Sequence, residues 1–144
     1  MLEGLILQLF GEISRVPMQK TRQYPSWLSR ADAMIRERFT EQLTLSDIAS
    51  QAGVHPVHLA REYRKCYRST VGEQIRRLRI DYARQQISTT ENTIADIALT
   101  FGFSDQSHFT VAFKSYVGSP PSVYRRALRL SGKDRAAARL ADEC

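Results

Sequence analysis

Apolar residues recur along this chain at helical steps of three and four, in blocks set apart by Gly, Pro and short polar runs. Leu2, Leu5, Ile6, Leu9, Phe10 and Ile13 predict an amphipathic helix over residues 2–14 that Pro17 ends, followed by a polar linker to Tyr24-Pro25. From Pro25 a second helix carries Leu28, Ala31, Ile35 and Phe39 on one face, with Arg30, Arg36 and Arg38 toward solvent. The longest helical pattern, Val71 to Ser88, has two apolar stripes. At ~100° per residue Val71, Ile75, Leu78 and Tyr82 face one way, and Ile80, Ala83 and Ile87 lie well around the axis from them. A helix with two separated apolar faces must pack on both sides, as a strut, and Glu73 with Arg77 supports it as an i,i+4 pair. Gly118-Ser-Pro-Pro121 stops a later helix and starts a short last one through Tyr124 and Arg125. Residues 128–144 lose the periodicity and read as an Ala- and Arg-rich tail, either a frayed helix or disordered.

Between these elements the chain repeats itself. Thr44-Leu-Ser-Asp-Ile-Ala-Ser-Gln-Ala-Gly-Val54 is echoed by Thr93-Ile-Ala-Asp-Ile-Ala-Leu-Thr-Phe-Gly-Phe103, with Thr, Asp, Ile, Ala and Gly in the same places. After one extra residue in the second copy, Val57-His-Leu-Ala-Arg-Glu-Tyr-Arg64 matches Ser107-His-Phe-Thr-Val-Ala-Phe-Lys114. Each copy reads as helix, tight Gly turn, helix. Thr44 with Asp47, and Thr93 with Asp96, carry the signals of capped helix starts. The expectation is an all-α fold of two helix-turn-helix subdomains joined by a long central helix.

The second helix of each copy divides into a buried and an outward face. His55 can cap the first and Pro56 can take its first position; Leu59, Tyr63 and Cys66 then share one face, and Val57, Ala60, Arg61 and Arg64 the other. In the second copy Phe109, Ala112, Phe113 and Tyr116 make the buried side, leaving Gln106, Ser107, Thr110, Val111 and Lys114 outward. A small, polar and basic face suits a helix lying in a ~12 Å major groove. Arg61 can bond guanine O6 and N7 together, worth ~1–3 kcal/mol of discrimination; Gln106 suits adenine, and Thr110 or Val111 a thymine methyl. Asp105, at a helix start, is read as a cap. Charges on a helix are more often simply solvated, but here two equivalent faces recur in a duplicated unit.

Composition narrows the partner. A formal net charge of +6 favours a polyanion without choosing among DNA, RNA and membrane. Only two cysteines occur, Cys66 and the terminal Cys144, so a disulfide framework is implausible and a reducing, cytoplasmic setting is the simpler reading. No segment reaches the ~18 apolar residues needed to span a bilayer. A metal site from His55, His58 and Cys66 fails on spacing, because ligands sharing one helix need i,i+3 or i,i+4 steps. His58 and His108, at equivalent repeat positions, read instead as packing or capping residues. No Gly-rich phosphate loop, nucleophile elbow or paired carboxylates support an enzyme, and no cofactor is expected.

Ile94-Ala-Asp-Ile-Ala98, Gly102-Phe-Ser-Asp-Gln-Ser-His-Phe109, Ala112-Phe-Lys114 and Gly118-Ser-Pro-Pro-Ser-Val-Tyr-Arg125 resemble the signature of the AraC/XylS transcriptional regulators over residues ~25 to 127. The resemblance implies a seven-helix, homeodomain-like domain that binds double-stranded DNA to activate or repress transcription, with RNA polymerase as a further partner. It assigns base contacts to Val57, Ala60, Arg61, Gln106, Ser107, Thr110 and Val111, in agreement with the outward faces. Two residues depart from the family: Val111 stands where a basic residue is common, and Arg68 where glycine usually ends the first reading helix. Arg68 is therefore expected at positive φ, at a cost of ~1 kcal/mol or more. Phosphate anchors are expected at Arg64, Lys65, Ser69, Thr70, Arg76, Lys114 and Arg125, and at the helix starts by Thr44 and Thr93. Residues 1–24 read as a remnant of the sensor or dimerisation domain that usually precedes this module. The helix at 2–14 is either a homodimer contact or an extra helix packed on its own domain.

Overall fold

The computed structural model describes residues 24–142, and the helix anticipated at 2–14, with its dimer contact, lies outside them. Seven helices and no strand occupy the described residues: α1 (Ser26–Arg38), α2 (Leu45–Ala52), α3 (Pro56–Tyr67), α4 (Val71–Thr89), α5 (Ile94–Thr100), α6 (Gln106–Val117) and α7 (Pro121–Asp142).

The repeat is preserved down to individual hydrogen bonds. Thr44 and Asp47 form a reciprocal capping box at the start of α2, with Asp47 N donating to Thr44 Oγ1 at 3.1 Å and Thr44 N to Asp47 Oδ2 at 2.9 Å. At α5 the Thr93 hydroxyl accepts from Asp96 N at 3.1 Å, without the return bond. Both first helices end in the same way. Val54 N reaches Ala49 O at 3.0 Å and Gly53 N reaches Ser50 O at 3.2 Å; Phe103 N to Ala98 O and Gly102 N to Leu99 O repeat those distances. This doubly bonded ending requires a left-handed residue, supplied by Gly53 at φ 72° and Gly102 at φ 87°.

α4 is the strut. It packs against α1 and α3 on one side and against α5, α6 and α7 on the other. One buried cluster runs along it, from Leu28, Ala31, Ile35, Phe39, Ile48, Leu59, Tyr63, Val71 and Ile75 to Ile80, Ala83, Ile87, Ile97, Ala98, Phe101, Phe103, Phe109 and Phe113. Several expectations are corrected. Tyr82 is 49% exposed, its ring lying between Phe39 (centroids 4.9 Å) and Phe101 (6.4 Å) where the two helix-turn-helix units meet. Leu78 is half-buried, whereas Gln74 is buried. Glu73 serves α4's own start, accepting from Thr70 N at 3.1 Å in a capping box, instead of pairing with Arg77. Tyr116, placed on the buried side of α6, is exposed at 41%. The last helix continues well past Arg125, through a stretch of Ala, Arg and Leu that favours helix.

Candidate nucleic-acid interface

The second helix of each repeat, α3 or α6, is fixed at its start and along its buried side. α3 begins where His55 Nδ1 accepts from Val57 N at 3.2 Å, with Pro56 in the first turn. α6 begins where Asp105 Oδ1 accepts from His108 N at 2.7 Å, so the cap reading of Asp105 holds. Leu59 and Tyr63 of α3, and Phe109, Ala112 and Phe113 of α6, are buried.

The roll of α3 is held by polar contacts that sequence inspection did not anticipate. The Tyr63 hydroxyl donates to Asp32 Oδ1 at 2.8 Å, and Arg36 Nε donates to Asp32 Oδ2 at 2.9 Å. Burial and the adjoining carboxylate push the Tyr63 phenol above its usual pKa, so it remains a proton donor. Tyr24 adds a bond to Cys66 O at 3.3 Å. The two equivalent histidines both pack on aromatic rings, His58 against Trp27 (5.1 Å) and His108 against the Phe103 edge (5.7 Å).

What these restraints leave outward is a matched pair of faces. Val57, Ala60, Arg61, Arg64 and Lys65 are exposed on α3; Gln106, Ser107, Val111 and Lys114 are exposed on α6, with Thr110 half-buried among them. Val57 and Val111, at 57% and 71% exposure, are apolar side chains left in water. Among the described residues Arg36, Arg38, Arg84 and Arg129 form salt bridges, and Arg61, Arg64, Lys65, Arg76 and Lys114 form none. The unneutralised cations thus include those on the outward faces of α3 and α6.

Two of the anticipated phosphate anchors, Arg125 and Thr44, have their side chains engaged within the protein. Arg125 directs its guanidinium at the end of α4 and the loop beyond, donating to Asn92 O at 2.6 Å and to Ile87 O and Thr90 O at 3.2 Å. Its task is to satisfy carbonyls that a helix end leaves open. Ser69 is buried as a residue. The Thr44 hydroxyl donates to Asp47 Oδ2 at 2.7 Å, which takes up its proton. Thr70 and Thr93 accept backbone N–H bonds, which leaves each hydroxyl proton available. Among the described residues no three His, Cys, Asp or Glu side chains gather as a metal site would require, and no helix is long and apolar enough to cross a membrane.

A helix-turn-helix domain family matches residues 48–127, more than half of the chain. The transcriptional activator AarP of Providencia stuartii is 35% identical over 116 residues, covering 78% of this chain and 86% of AarP. The chain belongs to the AraC/XylS family of transcriptional regulators. It is, as a member, a sequence-specific DNA-binding protein. The melibiose operon regulatory protein of Escherichia coli K12 is 30% identical over 106 residues, 74% of this chain but 35% of that longer regulator. In three dimensions the C-terminal domain of AraT, a response regulator from Geobacillus stearothermophilus, superposes with a TM-score of 0.70 at 29% identity, over 73% of this chain and 88% of that one. The fold is shared as well by the DNA-binding domain of AdpA, at 23% identity and a TM-score of 0.69.

Proposed function

We propose that α3 and α6 are the two reading helices of this AraC/XylS-family regulator, entering successive major-groove segments on one face of the duplex about 34 Å apart. The observation that carries the proposal is the pair of outward faces, alike in their frame and unneutralised, on a repeat whose caps, turns and buried sides are otherwise satisfied within the protein. The AdpA domain was solved in complex with a target DNA, which supports the same use of the shared fold here.

Val57, Ala60 and Arg61 read the first half of an asymmetric site; Gln106, Ser107, Thr110 and Val111 read the second. Arg64, Lys65, Arg76 and Lys114, with the hydroxyls of Thr70 and Thr93, hold phosphates and set affinity more than sequence. One protomer covers about two turns of DNA, which bends if the strut keeps the helices closer than one turn. The protein works in the bacterial cytoplasm on promoters it shares with RNA polymerase.

The test is a pair of substitutions on the protein's best duplex site. Arg61→Ala relaxes preference at one base pair, with a loss of ~1–3 kcal/mol on that site and little on others. Thr110→Ala alters preference in the other half alone. Equal weakening by Arg61→Ala on all sequences makes Arg61 a phosphate contact, and an effect of Thr110→Ala in the Arg61 half overturns the division of labour.

A further inference from the structure

The two helix-turn-helix units touch each other directly, not only through α4. Arg79, in the middle of that helix, points inward at the seam. Its Nε donates to Phe39 O at 2.7 Å and its Nη2 to Glu41 O at 2.8 Å, both in the loop that leads into the first unit; its Nη1 donates to Gly102 O at 3.0 Å, in the turn of the second. Gln42 Nε2, from the same loop, donates to that same Gly102 oxygen at 2.8 Å. The Phe103 ring lies 5.8 Å from the guanidinium. The approach is as close as backbone allows: a Cβ built at Gly102 would stand 2.5 Å from Thr40 O and 3.0 Å from Arg79 Cζ. Glycine at this position therefore answers two demands, the left-handed turn and the contact between units, whereas a Cβ at its counterpart Gly53 meets nothing within 4 Å.

Location gives this cluster its consequence. The loop at 39–42 runs into Thr44, the cap of α2, and Gly102 lies four residues before Gln106, the first residue of α6. A planar guanidinium donating to three carbonyls, two on one unit and one on the other, is a fork with little rotational slack. Packing against α4 brings the units near one another; the fork and the Gln42 bond fix the angle between them.

We infer that Arg79, with Gln42 and Gly102, is a positioning cluster that sets which spacing between the two half-sites the protein accepts, an inference that rests on both helices reading the same duplex. One base pair turns a half-site by about 35° and moves it by about 3.4 Å. A rigid pair of heads cannot follow that displacement, and a hinged pair can.

The experiment measures binding of the whole chain to a series of duplexes in which the two selected half-sites are kept and the spacing is changed by one, two or three base pairs in either direction. The wild-type protein loses roughly tenfold or more in affinity for the first added or removed base pair, the size of a lost base contact. In Arg79→Lys, which keeps the charge and loses the fork, and in Gln42→Ala, at an exposed side chain, the same shift costs about threefold or less, while affinity for the original spacing falls only modestly. A change that merely weakens the fold lowers all duplexes together and leaves the profile steep. If Arg79→Lys does not fold, as circular dichroism reads, the Gln42→Ala profile decides alone. A steep profile retained in the folded variants overturns the inference and spares the two-helix reading; a flat wild-type profile overturns both.

Discussion

Replacing Arg68 by glycine is expected to make the protein more stable. Arg68 ends α3 at φ 59° and ψ 22°, the one non-glycine residue at positive φ among those described, with its N–H on Arg64 O at 3.0 Å. Gly118 ends α6 in the same way, with φ 96° and its N–H on Lys114 O at 2.9 Å. An L-residue in this region carries about 1–2 kcal/mol of steric cost. Glycine removes it, but its freer unfolded chain takes back roughly 0.5–1 kcal/mol. The net gain is about 0.5–1 kcal/mol, or some 2–3 °C in Tm for a chain of this size. Arg68→Ala, which removes the same charge and keeps the strained backbone, should show no such gain. The difference between the two variants isolates the backbone term. The mirror change, Gly118→Ala, should lose about 1 kcal/mol by backbone strain alone, because a Cβ there meets nothing within 4 Å. Thermal and urea unfolding followed by circular dichroism measures all three. Equal stability of Arg68→Gly and Arg68→Ala would refute the assignment of strain to this residue.

Two further outcomes follow from the polar contacts. Tyr63→Phe should destabilise by about 1–2 kcal/mol, toward the low end for a bond to a charged group because Arg36 still partners Asp32; in an Asp32→Ala background the same change should be nearly neutral, and an unchanged cost there would deny the pairing. Arg125→Ala should lower stability by about 1–3 kcal/mol through three abandoned carbonyls while leaving the salt dependence of DNA binding as it was; a slope shallower by about one with stability intact would restore Arg125 as a phosphate contact.

Much of the frame was legible because its signals are local. Thr44, Thr93, Asp105 and His55 cap within three residues of themselves, Gly53, Gly102 and Gly118 mark turns by their own conformation, and Leu28, Ala31, Ile35 and Phe39 declare a face by spacing. The residues that escaped detection act over long stretches of chain. Arg79 reaches carbonyls forty and twenty-three positions away, Arg125 reaches back to Ile87, and Tyr63 finds Asp32. A positive charge on a helix looks the same in sequence whether it meets water, phosphate or a distant carbonyl, and only packing separates the three. Tyr82 and Tyr116 fall on apolar stripes by spacing, yet each keeps a hydroxyl that favours a wet edge. Glu73 could be paired with Thr70 or Arg77 on spacing alone, and the open amides of the helix start decided for Thr70. The outward faces were the easier half of the interface, since they follow directly from what must be buried.

The claim that these two faces read sequence is tested most directly by selecting bound sites from a pool of random duplex DNA at two salt concentrations. The account predicts one asymmetric motif in two parts spanning about two turns, with the same preferred bases at both concentrations and an affinity that falls with salt. Recovery of no motif, with binding that fades uniformly as salt rises, would contradict it and leave only a basic surface attracted to any duplex.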